Sequence, residues 1–364
     1  MKKEKTTIAV LGSHSALDIC RGAKDEGFST IVIAQKGREK TYNHYYATQG
    51  ELGCVDECIV LNRFEDILQA DVQKKLLKKN AIFIPNRSFE VYLHSDYEKI
   101  ERLWNVPTFG NKFLLKIEER SLHPNQYDLL KSAGIRYPKH FSKPTHIDRL
   151  CLVKVSEKER PFERAFFLAH SEKEYKKKSE HMMKEGHITA EALHHAVIEE
   201  FVVGAQLNFN FFYSPLSKSV ELLGTDTRRQ TNLDGMLRIP AGNQHEVLQS
   251  IPLSYEEAGH IAVTVLESLL EPAFAMGEKF VQATQSMCTP GIIGPFSLQS
   301  IITPGPPKKD IVVIDVSPRM PGSPGISATP YSQYLYGHSM SVGRRVAQEI
   351  RGALKKNEVH KITT

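Results

Sequence analysis

The stretch AVIEEFVVGAQLNFNFFYSP, Ala196 to Pro215, decides the fold. Its first part places two carboxylates, Glu199 and Glu200, and then Phe201 and Val202 on a short strand that runs toward Gly204. Beyond the glycine a strict alternation begins. Leu207, Phe209 and Phe211 point one way, and Asn208, Asn210 and Phe212 the other, the period-two pattern of a strand with unlike faces. The Ser214-Pro215 turn leads into SVELLGTDTRRQ, residues 219–230, which is read as its hairpin partner.

Upstream lies CLVKVSEKERPFERAFFLAH, residues 151–170. Two short apolar runs flank a charged tip, so this is a hairpin whose first strand ends in Lys154. A helix over Glu172–Gly186 follows, with Lys176, Lys177 and Lys178 on a solvated face. Downstream, residues 253–287 are read as one long amphipathic helical stretch broken near Pro272. The runs GIIGPFSLQSIITPG and KKDIVVIDVSPRMPGSPGIS then form a last hairpin, and SVGRRVAQEIRGALKK closes the chain as a helix. In that hairpin Gln299 and Asp315 come together in one cleft if the strands pair around the intervening loop. Two oxygen-bearing side chains on adjacent strands suit Mg²⁺, which keeps waters and leans on phosphate oxygens for the rest.

At the other end, residues 6–39 read strand, turn, helix, strand. Ile8 to Leu11 is a buried strand, Ala16, Ile19, Cys20 and Ala23 share a helical face, and Gly27 ends that helix. ECIVL and NAIFIP add two more strands around a helical stretch from Phe64 to Lys79, giving an α/β doubly wound parallel sheet. The turn after the first strand is G-S-H-S rather than G-x-G-x-x-G, which disfavours a dinucleotide but leaves backbone N–H groups suited to a phosphate. His14 lies where side chains reach a ligand at the carboxyl end of a parallel strand.

The chain has 364 residues, an apolar share of 41 % and a net charge of +5, from 47 basic and 42 acidic side chains. That length supports two or three packed modules. The charge is too mild for a nucleic-acid face and fits a small anionic ligand. The five cysteines are an odd number in a long chain, which argues for a reducing compartment over a disulfide framework. The apolar run at the N-terminus is too short for a signal peptide or a membrane span, so a cytoplasmic protein is expected.

Lys154 before a loop, the Glu199–Val202 strand, and Gln299 with Asp315 on a final hairpin resemble, in that order, the ATP-grasp superfamily. There a strand lysine touches nucleotide phosphates, a linker strand presents its backbone to adenine, and two late acidic or amide residues carry Mg²⁺. Over nearly the whole chain, LGSHSALDICRGAKDEGFSTIVI, IEEFVVGAQLNFNFFYSPL, VELLGTDTRRQTNLDGMLRIPA and GIIGPFSLQS with VVIDVSPRM resemble the archaeal formate-dependent AICAR ligase family. The resemblance implies a ligase of purine biosynthesis that joins formate to AICAR ribotide through formyl phosphate, giving ADP and phosphate. It implies an ATP-grasp fold in three parts: a Rossmann-like domain over residues 1–105, linker helices and lid over 106–205, and a metal-binding domain over 206–364. It assigns ATP to Lys154, Glu199, Glu200, Phe201, Val202, Gln206 and Gln230, and the ribotide to His14, Ser88 and His260. Gln299 and Asp315 would hold Mg²⁺ or Mn²⁺, and Arg319, four residues past Asp315, is a candidate phosphate clamp. A homo-oligomer is expected, with no nucleic-acid or membrane partner.

The sequence departs from that family in places. The loop from Val155 to Phe166 carries no glycine where the family is glycine-rich, and offers Lys158, Arg160 and Arg164 instead. Gln230, His260 and Asp315 stand where the family has glutamate, asparagine and glutamate. A divergent paralog joining another carboxylate to another amine, or a non-catalytic relative that binds a nucleotide or ribotide, are the competing readings.

Overall fold

The computed structural model describes residues 6–120, 122–155, 166–251, 257–305 and 308–364, and of residues 230–233 the backbone only. The charged tip with Lys158, Arg160 and Arg164, and the side chain of Gln230, therefore lie outside the described residues.

The first module is a parallel sheet in the order β3-β2-β1-β4, built from β1 (Thr7–Leu11), β2 (Ser29–Gln35), β3 (Glu57–Leu61) and β4 (Ala81–Ile84). Every residue of β1 is buried, as expected of a parallel strand covered on both faces. One face packs against helix Ala16–Asp25, whose Ala16, Ile19, Cys20 and Ala23 turn inward. The last long helix, Val342–Lys356, returns from the far end of the chain to cross this one. Their crossing is made by glycines: a Cβ on Gly22 would run into the backbone of Gly343 and Arg344, and one on Gly343 into that of Asp18. On the opposite face Phe83, Phe89 and Trp104 pack together, with ring centroids 4.8–5.3 Å apart.

A second sheet, ordered β5-β8-β6-β7, is antiparallel and comprises β5 (His140–Phe141), β6 (Cys151–Lys154), β7 (Phe166–Ala169) and β8 (Val197–Glu200). Its core is a small group around Phe141, Val153, Phe167 and Ile198. Helix Glu172–Lys184 covers it, capped by the Ser171 hydroxyl, which accepts from the Glu174 amide. Strand β8 stops at Glu200, and Phe201 to Val203 continue outside the sheet as the connection to the third module.

The third module is a five-stranded antiparallel sheet ordered β11-β10-β9-β12-β13: β9 (Ala205–Ser214), β10 (Ser219–Gln230), β11 (Glu257–Ala262), β12 (Gly294–Thr303) and β13 (Asp310–Ser317). The alternation that opened the sequence reading divides it. Leu207, Phe209, Phe211, Phe296, Leu298 and Val316 form one face and pack on helix Leu270–Met287, with Phe211 and Phe280 flanking Phe296 at 5.3 and 5.0 Å. Each such buried side chain contributes about 1.5–3 kcal/mol of transfer free energy, so this face anchors the sheet. The other face is polar at Asn208, Asn210, Asp226 and Gln299 and turns apolar at Phe212, which packs into the core of the first module.

The reading of residues 253–287 as one helical stretch is corrected. Glu257–Ala262 is an edge strand, β11, with Arg228 opposite His260 and Asp226 opposite Ala262. Gly259 at φ +142° has no place in a helix, and the β-branched Ile261, Val263, Thr264 and Val265 favour extended backbone. The helix begins only at Leu270, and Pro272 sits in its first turn, where a missing N–H breaks no bond.

Candidate functional site

Lys154 ends β6 on the face opposite the buried Cys151 and Val153. Register places Glu199 of β8 beside Leu152 and Val197 beside Lys154, so the lysine and Glu199 are diagonal neighbours on that face. The lysine side chain is largely buried, 11 % exposed, and its ammonium is paired with Glu199 Oε1. Burial pulls the lysine pKa down, and Glu199 pulls against it. The second Glu199 oxygen accepts from the Tyr127 hydroxyl at 3.1 Å, with His140 Nε2 3.8 Å away.

Gln299 and Asp315 face one another across β12 and β13. The Gln299 amide donates to Asp315 Oδ2 at 3.1 Å, and Arg120 donates to Oδ1 at 2.8 Å. Burial alone would raise the Asp315 pKa; Arg120, then Arg228 and Lys154, outweigh it and hold the carboxylate below its usual range. Cations of two modules thus converge on one carboxylate.

The same rung of the sheet continues through Asn208 of β9 to Asp226 of β10. Asn208 and Asn210 both donate to Asp226, at 2.9 and 2.6 Å. That leaves Asn208 Oδ1 buried with no hydrogen-bond partner among the described residues. Asp315, the Gln299 amide oxygen and this Asn208 oxygen are hard oxygen donors along one line, the donor type that Mg²⁺ takes.

His260 reaches the far end of this face from β11. Its Nδ1 bonds Asp226 and its Nε2 bonds Glu257 at 2.8 Å. Burial works to lower its pKa, but these two carboxylates prevail and raise it to about 9, so the ring is an imidazolium at neutral pH. His14 has the opposite character. It stands at φ +49° in the turn after β1, its ring against Gly322, where no side chain fits. Burial, helped by Arg319, lowers its pKa to about 4, and the charges of Glu257, His260 and Arg228 also act on it. Ser88 is buried in the short helix Arg87–Val91. The Asn86 cap of that helix donates to the carbonyls of Leu11 and Ser13, at 3.0 and 3.2 Å, tying it to the His14 turn.

The remaining expected residues are placed differently from one another. Gln206 is exposed at the start of β9, two residues from Asn208 on the polar face. Glu200 bonds Arg149 and the Lys139 amide, at 3.2 Å each. Phe201 and Val202 lie in the connection beyond β8, where the sequence reading had a strand; a Cβ on the adjoining Gly204 would strike the Ile302 carbonyl, which pins this connection against β12. Arg319 is nearly buried and engaged: it donates to Glu90 at 3.1 Å, Glu118 at 2.9 Å and the Met320 carbonyl at 3.2 Å. With Arg87 it balances two buried carboxylates at the seam of the first and third modules.

Sequence reasoning missed Arg120, Tyr127, Asn208, Asp226 and Glu257. The asparagines and Asp226 had a signal in the alternation of β9 and its pairing with β10. Arg120 and Tyr127 lie between the first sheet and the second, outside any strand, and carry none.

A family model described as "Protein of unknown function (DUF1246)" matches residues 8–141, and one described as "Domain of unknown function (DUF1297)" matches residues 174–364. The chain is 40 % identical over 363 residues to the 5-formaminoimidazole-4-carboxamide-1-(beta)-D-ribofuranosyl 5'-monophosphate synthetase of Methanocaldococcus jannaschii, covering 99 % of this chain and 95 % of that one. Among solved structures it is similar to the IMP biosynthesis protein PurP from Thermococcus kodakaraensis, with a TM-score of 0.70 and 28 % identity over 98 % of this chain and 100 % of that one. The biotin carboxylase domain of the Hydrogenobacter thermophilus 2-oxoglutarate carboxylase, in complex with MgADP, shares the fold at a TM-score of 0.61 and 13 % identity, covering 95 % of this chain and 69 % of that one.

Proposed function

The chain belongs to the 5-formaminoimidazole-4-carboxamide ribotide synthetase family of the ATP-grasp superfamily, and from that premise we propose that its polar sheet face is where ATP, formate and AICAR ribotide meet. The observation that carries this reading is the bridging of two ion pairs by one segment: Lys154 pairs with Glu199 on the second sheet and Arg120 with Asp315 on the third, while Tyr127, seven residues past Arg120, bonds Glu199.

In the first step a formate oxygen attacks the γ-phosphorus of ATP and ADP leaves, giving formyl phosphate. In the second, the ribotide amine attacks the formyl carbon, the bond from that carbon to the phosphate oxygen breaks, and phosphate departs with the electron pair. The amine proton passes to the phosphate or to solvent. No side-chain nucleophile is needed. Lys154 exchanges Glu199 for a nucleotide phosphate, and Arg120 adds a second cation beside Asp315. A preorganised cationic cleft stabilises charge more than water does and shields an easily hydrolysed acyl phosphate. His14, kept neutral by burial, hydrogen-bonds the ribotide without repelling other cations, with Ser88 and His260 beside it.

Gln299, Asp315 and Asn208 would hold Mg²⁺, or Mn²⁺, since their donors are all oxygen and the Asn208 oxygen lacks another partner. When bound, the ion would neutralise phosphate charge. Arg319, with its three hydrogen bonds, is assigned the support of the His14 turn in place of a direct phosphate contact. A homo-oligomer remains part of this reading, supported by the outer position of β11 in its sheet, by the exposed Ile261 on that strand, and by the exposed Tyr334 and Leu335 of the helix Tyr331–Tyr336 that packs on β10. No helix among the described residues is long and apolar enough to cross a membrane.

The test is ADP release with purified protein, Mg-ATP and AICAR ribotide, with and without formate. Release that needs both ribotide and formate is the expected result. Ribotide-dependent release that ignores formate would remove the assignment of formate as the second substrate.

A further inference from the structure

We propose that Arg228 is a catalytic residue of the transfer step, gripping the phosphoryl oxygens while the formyl group passes to the amine; this rests on the functional reading above. Arg228 lies two residues past Asp226 on β10, and so on the same polar face as the rung Asp226, Asn208, Gln299 and Asp315. Directly opposite it, on β11, is His260.

The other arginines of this region have partners that occupy them. Arg319 makes three hydrogen bonds within the seam. Arg229, on the opposite face of β10, donates to Asp234 at 3.1 Å. Arg120 Nε, like that of Arg228, is buried with no hydrogen-bond partner among the described residues, but Arg120 is already committed through Nη2 to Asp315 at 2.8 Å. Arg228 is held by a looser contact. Its Nε is 3.4 Å from Glu257 Oε2, at ion-pair distance without a hydrogen bond, and that buried nitrogen has no hydrogen-bond partner among the described residues. A desolvated guanidinium nitrogen of this kind is costly unless something accepts from it. A phosphate accepts from two guanidinium nitrogens at once.

Its place between the two halves of the site gives the step. The charge of Arg228 acts on His14, at the ribotide end, and on Asp315, at the nucleotide end. The chain Asp226–His260–Glu257 runs beside it: Asp226 fixes the imidazolium, the imidazolium fixes Glu257, and Glu257 faces the guanidinium. These are positioning residues. When the amine nitrogen bonds to the formyl carbon and the carbon–oxygen bond to phosphate breaks, the electron pair goes to the phosphate oxygens. Arg228 stabilises that charge; always protonated, it gives up no proton.

The experiment compares wild type with Arg228→Gln in steady-state formation of the formylated ribotide, with ATP and ribotide each varied and formate saturating. The expected result is a kcat lower by about 10²–10³-fold, the loss typical of removing one preorganised charge stabiliser, with KM for ATP and for ribotide each within about threefold. An unchanged kcat, or a loss confined to either KM, overturns the proposal. Should the glutamine variant fail to fold, Arg228→Lys keeps the charge and loses the fork; it is expected to fold and to lose at least about tenfold in kcat, and wild-type kcat in that variant also overturns the proposal. Absence of formate-dependent turnover in the wild type would strike the functional reading itself, which separates the two failures.

Discussion

Two histidines on one site titrate in opposite directions, and stability should record both. Burial disfavours charge on each ring. At His14 nothing reverses this and the pKa falls to about 4; at His260 the bonds to Asp226 and Glu257 reverse it and the pKa rises to about 9. The unfolded value for both is about 6.5. For His260 the folded state binds the proton more tightly, so its stabilisation is complete below pH 6.5 and is lost as pH rises toward 9. For His14 the unfolded chain binds the proton more tightly, so its contribution is complete above pH 6.5 and is lost as pH falls toward 4. Thermal unfolding across pH should show these limbs by difference. Subtracting the His260→Asn profile from wild type is expected to leave a curve flat below pH 6.5 and declining to pH 9. The His14→Asn difference should decline only on the acid side. A His260 difference that changes chiefly below pH 6 would contradict the double carboxylate clamp.

At the scale of elements, the crossing of helices Ala16–Asp25 and Val342–Lys356 depends on absent side chains. Ala in place of Gly22 gains about 1 kcal/mol in helix propensity, but its methyl meets the backbone of Gly343 and Arg344, which cannot rotate away. Overpacking against backbone costs about 1–3 kcal/mol or more, so Gly22→Ala is expected to lower the unfolding temperature. Gly352, on the second of these helices, is the control. A Cβ there finds only Leu216 at 3.5 Å, an ordinary contact, and Gly352→Ala should be neutral or stabilising. Equal effects of the two changes would mean that the helices do not cross there. The same comparison shows what sequence makes legible. The helical faces, the parallel strands and the unlike faces of β9 follow from periodicity in single segments. Gln299 and Asp315 pair as expected because a hairpin joins them. The crossing of first and last helices, the convergence of Arg120 on Asp315, and the engagement of Arg319 with Glu90 and Glu118 join residues roughly 200 or more positions apart, and no local pattern encodes such meetings. Strand β11 was misread for a different reason: an edge strand buries too little to alternate cleanly, and the helix after it lent its periodicity to the whole run.

For the whole molecule, the proposed site belongs to no single module. Lys154 and Glu199 come from the second sheet, Gln299, Asn208 and Asp315 from the third, and His14 and Ser88 from the first. In the chain, Phe201–Gly204 connects β8 of the second sheet to β9 of the third. A nucleotide that bonds both sheets therefore acts as a cross-link, and its stabilisation should need both ends. At a concentration 100 times its dissociation constant, Mg-ATP is expected to add about 2.7 kcal/mol to the stability of the wild type. Lys154→Met removes the proposed phosphate contact on one side, and Asp315→Asn weakens the oxygen cluster on the other. Each alone should abolish most of the ATP-induced rise in unfolding temperature at that same concentration. The rise induced by AICAR ribotide should persist in Lys154→Met, because His14, Ser88 and His260 stand on the other two modules. Differential scanning fluorimetry with the two ligands separately reads all of these shifts. If ATP stabilised Lys154→Met as much as wild type, the nucleotide would be held by the third sheet alone, and the second sheet would have no part in closing over it.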